Sequence, residues 1–152
     1  MFIKKQVKQY PRQQQPGFSL IELLFVATII GIIASLAMPG LSRARQYANS
    51  GSAIQSLRIL TSAEYMYERT HNGCATLNAL FTEGLVHGDL GEGYKSGYTF
   101  EILVGPTSKT FTCQATPDGD TGSLYHFFVD ETGVIRFNTG APADATSDPI
   151  AM

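Results

Sequence analysis

Glu22 is the one ionisable residue in an apolar stretch that runs from Phe18 to Met38. A carboxylate in the apolar part of a membrane helix costs about 2.5–3.5 kcal/mol at the helix centre and less near an end. No basic residue lies within one helical turn of Glu22, so neighbours on the same helix do not offset that cost. Two interpretations stay open: the carboxylate is solvated at headgroup depth, or its partner is a positive charge on another chain.

The stretch around Glu22 is long enough to cross a membrane. Its 21 residues would form a helix about 31 Å long, close to the hydrocarbon thickness of a bilayer. A secretory signal peptide is the rival interpretation, because Ala34-Ser-Leu-Ala37 offers a weak small-x-small cleavage site. The apolar region of such a peptide has about 7–15 residues, which is shorter than this stretch. The length therefore favours a transmembrane helix.

The residues at the start of this helix carry a family signature. A basic leader ends at Gly17, Phe18-Ser-Leu-Ile-Glu22 follows, and the apolar helix continues without interruption. This arrangement resembles the processing and methylation signature of type IV pilins and type II secretion pseudopilins. Gly31 and Pro39 also fall where major pilins often have a glycine and a proline. The resemblance covers residues 17–42, and the 17-residue leader departs from it by being longer than the shortest pilin leaders.

The resemblance implies a role for each residue of the signature. Gly17 would precede the bond that a prepilin peptidase cuts, and Phe18 would become the N-methylated first residue of the mature chain. Glu22 would then neutralise the terminal amine of an adjacent subunit and set its register during assembly. Gly31 and Pro39 would bracket a part of the helix that loses helicity in a filament, which agrees with the helix-weakening effect of both residue types.

Charge is distributed unevenly along the chain. The first 17 residues contain four basic residues and no acidic one, whereas the remainder carries 7 basic and 13 acidic residues. A basic flank before an apolar helix is typical of a segment that stays in the cytoplasm. We therefore expect a single-pass inner-membrane protein before assembly, and an extracellular pilus or periplasmic pseudopilus after it. The acidic remainder offers no basic surface for a phosphate backbone, so no direct nucleic-acid binding is predicted.

Two cysteines, Cys74 and Cys113, lie beyond the apolar helix. If that helix crosses the membrane with its basic flank inside, both thiols face an oxidising compartment, and a disulfide between them is the leading prediction. Free thiols are the second interpretation. A metal site is the third, because His71 and His126 supply further zinc-binding side chains, but the paired spacing of known zinc modules is missing.

Other chemistry has weaker support in the sequence. Asp118 and Asp120 begin a calcium-binding pattern, but Gly122 stands where the next oxygen ligand is expected, which favours a plain turn. The local motifs of serine hydrolases, zinc proteases and phosphate-binding loops are absent from the sequence. We therefore predict no metal, no cofactor and no enzymatic activity.

Periodicity predicts the elements beyond the membrane helix. An apolar stripe with helical spacing continues the helix to about Arg69, and Asn72-Gly73 ends it. The members of this stripe are Ala53, Ile54, Leu57, Leu60, Ala63, Glu64 and Tyr67. A change to period two predicts four strands and tight turns between them. The predicted strands are 98–104, 109–115, 124–129 and 134–138.

The predicted fold class is α+β: a long N-terminal transmembrane and assembly helix packed on a roughly four-stranded antiparallel sheet, the arrangement of pilin headpieces. Five segments are expected along the chain. They are a basic leader (1–17), a transmembrane and filament-core helix (18–39), the amphipathic half of the long helix (40–73), a globular headpiece (74–138) and a flexible C-terminal tail (139–152).

These expectations combine into a structural subunit, major or minor, of a type IV pilus. Its expected partners are copies of itself in a helical filament, a prepilin peptidase and methyltransferase, the inner-membrane assembly platform, and membrane lipid before assembly. Two alternatives stay open. One is a pseudopilin of a type II secretion system, and the other is a membrane-anchored binding module that never polymerises.

Overall fold

The structure is a computed structural model that describes residues 17–119 and 125–150, apart from the side chains of residues 36–39. The predicted leader, except Gly17, lies outside the described residues, as do residues 120–124 and the last two residues. Contacts divide the chain into two compact units, with the boundary between Gly40 and Leu41. Each unit is described by itself below.

A single helix, α1, extends from Leu20 to His71. Its N-terminal part is long and apolar enough to cross a membrane: the most apolar window has a mean hydropathy of 2.5, and none of it is buried. The backbone stays helical through both Gly31 and Pro39. The predicted loss of helicity between these residues concerns an assembled filament and stays a prediction.

From Ser50 onward one face of α1 is buried and the other is exposed. Ala53, Leu57 and Leu60 are fully buried, and Glu64 continues this face with 1% of its surface exposed. Arg58, on the opposite side, faces solvent. The predicted apolar stripe is therefore confirmed as the core-facing side of the helix.

The helix α1 ends at His71, directly before the predicted Asn-Gly pair, and the two residues of the pair have different roles. Asn72 takes the left-handed conformation, with φ of 55°, which asparagine adopts more readily than most residues. Gly73 is needed for space, because a Cβ there would lie 2.9 Å from the carbonyl oxygen of Ser108. The next residue, Cys74, donates its N–H to that same carbonyl at 2.6 Å.

Six antiparallel strands follow in sequential order after two short helical segments. The segments are α2 (Leu77–Thr82) and a 3₁₀ turn (Gly88–Leu90). The strands are β1 (Tyr94–Lys95), β2 (Tyr98–Val104), β3 (Phe111–Pro117), β4 (Tyr125–Asp130), β5 (Arg136–Thr139) and β6 (Asp148–Pro149). The prediction of an antiparallel sheet on the helix is confirmed, and the strand count is six rather than four. Strands of two residues are too short to show alternation, which is why β1 and β6 could not be predicted.

Residues 139–150 differ from the predicted flexible tail. The strand β6 pairs with β5, and Ile150 donates its N–H to the carbonyl of Ile135 at 3.0 Å. The Arg136 guanidinium donates to the carbonyl of Ser147 at 3.0 Å, and Ala143 is buried. These contacts connect residues that are distant along the chain, so the small, polar composition of the segment did not reveal them.

Cross-strand register places the core side chains in rows. Cys113 on β3 lies between Ile102 on β2 and Val129 on β4. All three belong to one cluster with the buried face of α1. Cys113 is therefore at the centre of the core rather than at its edge.

Candidate assembly site

The bond between Gly17 and Phe18 lies in a short segment that precedes α1. The carbonyl of Ser19 accepts hydrogen bonds from the N–H groups of Glu22 (3.1 Å) and Leu23 (3.3 Å), so the first helical turn begins there. Three quarters of the Phe18 surface is exposed. Apart from its chain neighbours, no described residue has an atom within 4 Å of the position that a Cβ of Gly17 would take. The bond is thus in the non-helical, accessible backbone that proteolysis requires.

Glu22 lies in the first turn of α1 and is exposed. The free N–H groups at a helix N-terminus favour a negative side chain there. The next basic residue along the described helix is Arg43, 21 residues further along the chain. Among the described residues, the helix therefore offers no cation close to the Glu22 charge.

The apolar surface that surrounds Glu22 is exposed from Leu20 to Ile33. Leu20, Phe25 and Ile33 have 83%, 69% and 59% of their surface exposed. The hydroxyl of Thr28 donates to the carbonyl of Leu24 at 2.8 Å, so that polar group is satisfied within the helix, as an apolar medium requires. This surface is suited to lipid or to another apolar helix.

Gly31 and Pro39 lie eight residues apart in the same helix. A Cβ at Gly31 would meet no atom within 4 Å, so nothing among the described residues requires a glycine there. Small residues on membrane helices allow a second helix to approach closely. Proline lacks the N–H that would bond to the carbonyl four residues earlier, so the helix is weakened at Pro39.

The two cysteines are free thiols in the structure. Burial raises the pKa of the Cys113 thiol, and the charge of Glu64 raises it further. Burial is also the main reason why the pKa of Cys74 is raised, with smaller contributions from Glu64 and two other acidic residues. The predicted disulfide is not shown and stays a prediction.

The metal-site alternative finds no supporting geometry in the described residues. No group of three His, Cys, Asp or Glu side chains within 17–119 and 125–150 is placed to hold a metal ion. His71 stacks on Tyr67 with ring centroids 4.1 Å apart, and His126 is a buried residue of β4. Asp120, the second acid of the possible calcium-binding pattern, lies outside the described residues.

Glu64 is a buried acid. The sequence pattern placed it in the apolar stripe of α1 but predicted no chemical role for it. Its Oε2 accepts a hydrogen bond from the N–H of Ala75 at 2.9 Å, while Oε1 is buried without a partner in the described structure. Burial raises the pKa of Glu64 to about 7; the Ala75 hydrogen bond partly opposes this, and the nearby charge of Glu68 adds to it. The signal in the sequence that could have revealed this group is an acidic residue at a core position of the apolar stripe.

Comparisons with known proteins agree with this arrangement. The model of the prokaryotic N-terminal methylation motif matches residues 12–38. The chain is 31% identical over 124 residues to the type IV wide pilus major component PilA4 of Thermus thermophilus, covering 81% of this chain and 88% of that protein. It is 29% identical over 127 residues to the type II secretion system core protein G of Klebsiella michiganensis, with 81% and 88% covered.

A third relative, the competence protein ComGC of Halalkalibacterium halodurans, is 31% identical over 77 residues, which are 50% of this chain and 76% of that protein. The matches to protein G and PilA4 extend well beyond the N-terminal motif into the sheet-containing part of the chain. With its methylation motif, apolar helix and antiparallel sheet, the chain belongs to the family of type IV pilins and type II secretion pseudopilins.

Proposed function

We propose that this protein is a structural subunit, major or minor, of a type IV pilus, released for polymerisation by cleavage after Gly17. One observation carries the proposal: Glu22, the fifth residue after the bond to be cut, has no cationic partner among the described residues and lies on an exposed apolar helix. Cleavage would create an α-amino group on Phe18. A neighbouring copy displaced by about 6 Å along the helix axis would bring its Glu22 level with that amine.

This ion pair would give assembly its polar specificity. Moving the helix from lipid to a bundle of identical helices leaves its apolar surface covered in both states, so the hydrophobic effect alone gives little preference. Opposite charges attract far more strongly in an apolar surrounding than in water. The match between the Phe18 amine and the Glu22 carboxylate therefore favours the bundle and fixes the offset between neighbours.

The same proposal assigns the other partners. A prepilin peptidase would cut after Gly17 and a methyltransferase would modify the Phe18 amine. The four basic residues of the leader would hold the N-terminus in the cytoplasm, so that the sheet lies outside the inner membrane. Extraction into the filament would need an inner-membrane assembly platform. The protein would be a substrate of these enzymes and not itself an enzyme.

A pseudopilin of a type II secretion system is the second candidate. It is favoured by the similarity to core protein G, which covers 81% of this chain. The two candidates share processing and assembly through α1, and they differ in where the filament ends. Electron microscopy of the cell surface separates them, since a pilus extends beyond the cell and a pseudopilus remains in the periplasm.

The test is a Glu22→Ala variant in the native host, with Glu101→Ala as the matched control, because Glu101 is an exposed acid on β2. Glu22→Ala should be cleaved and stay in the membrane but give few filaments in the sheared fraction, whereas Glu101→Ala should assemble normally. Normal filament yield from Glu22→Ala would overturn the charge-pair proposal.

Gly17→Leu should accumulate as an uncut precursor on a gel. Failure of wild-type subunits to cross-link into a ladder would favour a membrane-anchored binding module.

A further inference from the structure

An apolar groove runs between α1 and one edge of the sheet. Its lining consists of Tyr47, Gly51 and Ile54 on the helix and Tyr125, Phe137 and Ile150 on the sheet side. It has a volume of about 490 Å³ and continues past Ile150 toward Arg58 and Val134. We call this surface the edge groove. Aromatic side chains that remain exposed in a groove are typical of a contact surface.

The charge around the edge groove is positive on its helix side. From Leu41 to Ala63 the helix carries three arginines and no acidic residue. Arg43 lies one turn before Tyr47, and both are exposed. Arg58 is the one charged residue among the described residues that line the groove and its continuation. The acids Asp144 and Asp148 line a polar depression that shares Phe137 with the edge groove, so the positive charge is confined to the helix side.

The opposite edge of the sheet has the complementary character. The sheet order runs from β1 to β6, so the connector and β1 lie at the far edge from β6. Phe81 and Tyr94 have 41% and 47% of their surface exposed. Exposed acids accompany them at Glu83, Asp89 and Glu92. Within residues 77–95 these three are the acidic residues, and Lys95 is the one lysine or arginine, so the segment is acidic. We call this surface the connector edge.

We propose that the edge groove of one copy receives the connector edge of a second copy. The exposed aromatic rings of the connector edge enter the groove, and its acids face Arg43 and Arg58. This inference rests on the proposed filament function, and it names the surfaces by which the sheet-containing units meet.

The position of the two surfaces determines the kind of assembly. They lie on opposite edges of one sheet, so each copy uses one surface toward one neighbour and the other surface toward the next. Such a heterologous contact does not close on itself in pairs, and it produces a ring or an open helical filament. The contact is therefore compatible with continued addition of subunits, unlike a two-fold contact that would end growth at a dimer.

Photo-cross-linking in assembled filaments tests the contact. A photoreactive phenylalanine analogue replaces Tyr47 in the full chain, since 66% of the Tyr47 surface is exposed and the fold should tolerate it. The matched control carries the analogue at Leu103, which is 53% exposed on β2 and belongs to neither surface. Irradiated filaments are run on a denaturing gel, and the band of dimer mass is digested and mapped. We expect adducts from position 47 to residues 78–95 of another copy, and none to that segment from position 103.

A charge swap tests the electrostatic part. Arg43→Glu with Arg58→Glu should lower the adduct yield by about fivefold, because two exposed ion pairs are replaced by repulsion. Adding Glu83→Lys and Glu92→Lys should restore much of it. An unchanged yield after charge reversal would overturn the inference.

The cross-linking outcome also separates the inference from the function on which it rests. Filaments in which the analogue at position 47 reacts with another region, with lipid or with a different protein would overturn the contact and leave the filament function standing. If the wild-type chain forms no filaments and the chain with the analogue forms no adducts with itself, both the contact and the filament function are wrong.

Discussion

The backbone N–H of Ala75 donates a hydrogen bond of 2.9 Å to Oε2 of Glu64, which connects the segment after α1 to the helix itself. The same carboxyl group is 1% exposed, and its Oε1 has no hydrogen-bond partner in the described structure. A buried carboxylate with one unsatisfied oxygen is costly when ionised. Burial accordingly raises the pKa of Glu64 to about 7, so the group titrates near neutral pH.

The unit that begins at Leu41 should lose stability as the pH rises from about 4.5 to about 7. The pKa of Glu64 is 4.5 in the absence of burial and about 7 in the folded state, so the folded protein binds more protons than the unfolded protein between these values. The free energy of unfolding therefore falls with rising pH, by at most about 3 kcal/mol in total. Thermal unfolding of the full chain in detergent, followed by circular dichroism across this pH range, measures the effect.

Glu64→Gln provides the matched test of that prediction. Glutamine keeps the shape and the acceptor for Ala75 but has no proton to lose, so the decline toward neutral pH should disappear. Glu68→Gln is the control, because Glu68 is exposed and is the last of the three causes of the Glu64 shift. An equally steep decline in Glu64→Gln would show that another group is responsible.

Protonation of His126 should lower the free energy of unfolding as the pH falls, whereas the titration of Glu64 lowers it as the pH rises. The ring is 4% exposed, neither nitrogen has a hydrogen-bond partner in the described structure, and burial lowers its pKa from 6.5. Below that value the unfolded state binds a proton that the folded state excludes, so stability falls as the pH drops. The measurement belongs in the Glu64→Gln background, where the opposing titration is absent. His126→Gln should flatten this acid decline, whereas His87→Gln, at an exposed loop position, should leave it unchanged.

Replacement by alanine should have opposite effects on stability at Gly73 and at Gly51. A Cβ at Gly73 would approach the backbone oxygen of Ser108 to 2.9 Å, so the helix end and the turn of Ser108 must separate. Such overpacking costs about 1–3 kcal/mol. Gly51 lies inside α1 with nothing within 4 Å of its Cβ position, and alanine there should stabilise the helix by up to about 1 kcal/mol. Melting temperatures of both variants test this, and a lower value for Gly51→Ala than for Gly73→Ala would contradict it.

Local patterns predicted the parts of the fold that depend on neighbours along the chain. The helical stripe of Leu57 and Leu60 and the alternation in β2 are set by residues a few positions apart, and both were confirmed. The strands β1 and β6 depend on pairing between distant segments, and two residues carry no periodic signal. The contact of Ile150 with Ile135 could not be read from composition for the same reason.

The candidate site shows the same division. Gly17, Phe18 and Glu22 lie within six residues of one another, so the amino-acid sequence alone reveals their relation. The chemistry of Glu64 depends on Ala75, which returns to the helix only after the turn at Asn72, and its unpaired oxygen reflects how the whole core closes around it. The edge groove likewise combines Tyr47 with Phe137, 90 residues further along the chain, and no local pattern connects them.

The remaining prediction concerns Cys74 and Cys113, which would enclose a loop of about 40 residues if they are bonded outside the membrane. A bridge across such a loop is worth about 4 kcal/mol in the chain-entropy model. Native protein isolated without reductant should then be lighter by two hydrogen atoms than the reduced protein, and neither thiol should react with iodoacetamide. After reduction Cys74 should react first, because Cys113 is fully buried and burial raises the pKa of its thiol. Cys113→Ala is the control, since its Cys74 is free without reductant. If Cys74 of the unreduced wild-type protein is alkylated as fast as in that variant, the two cysteines are not bonded.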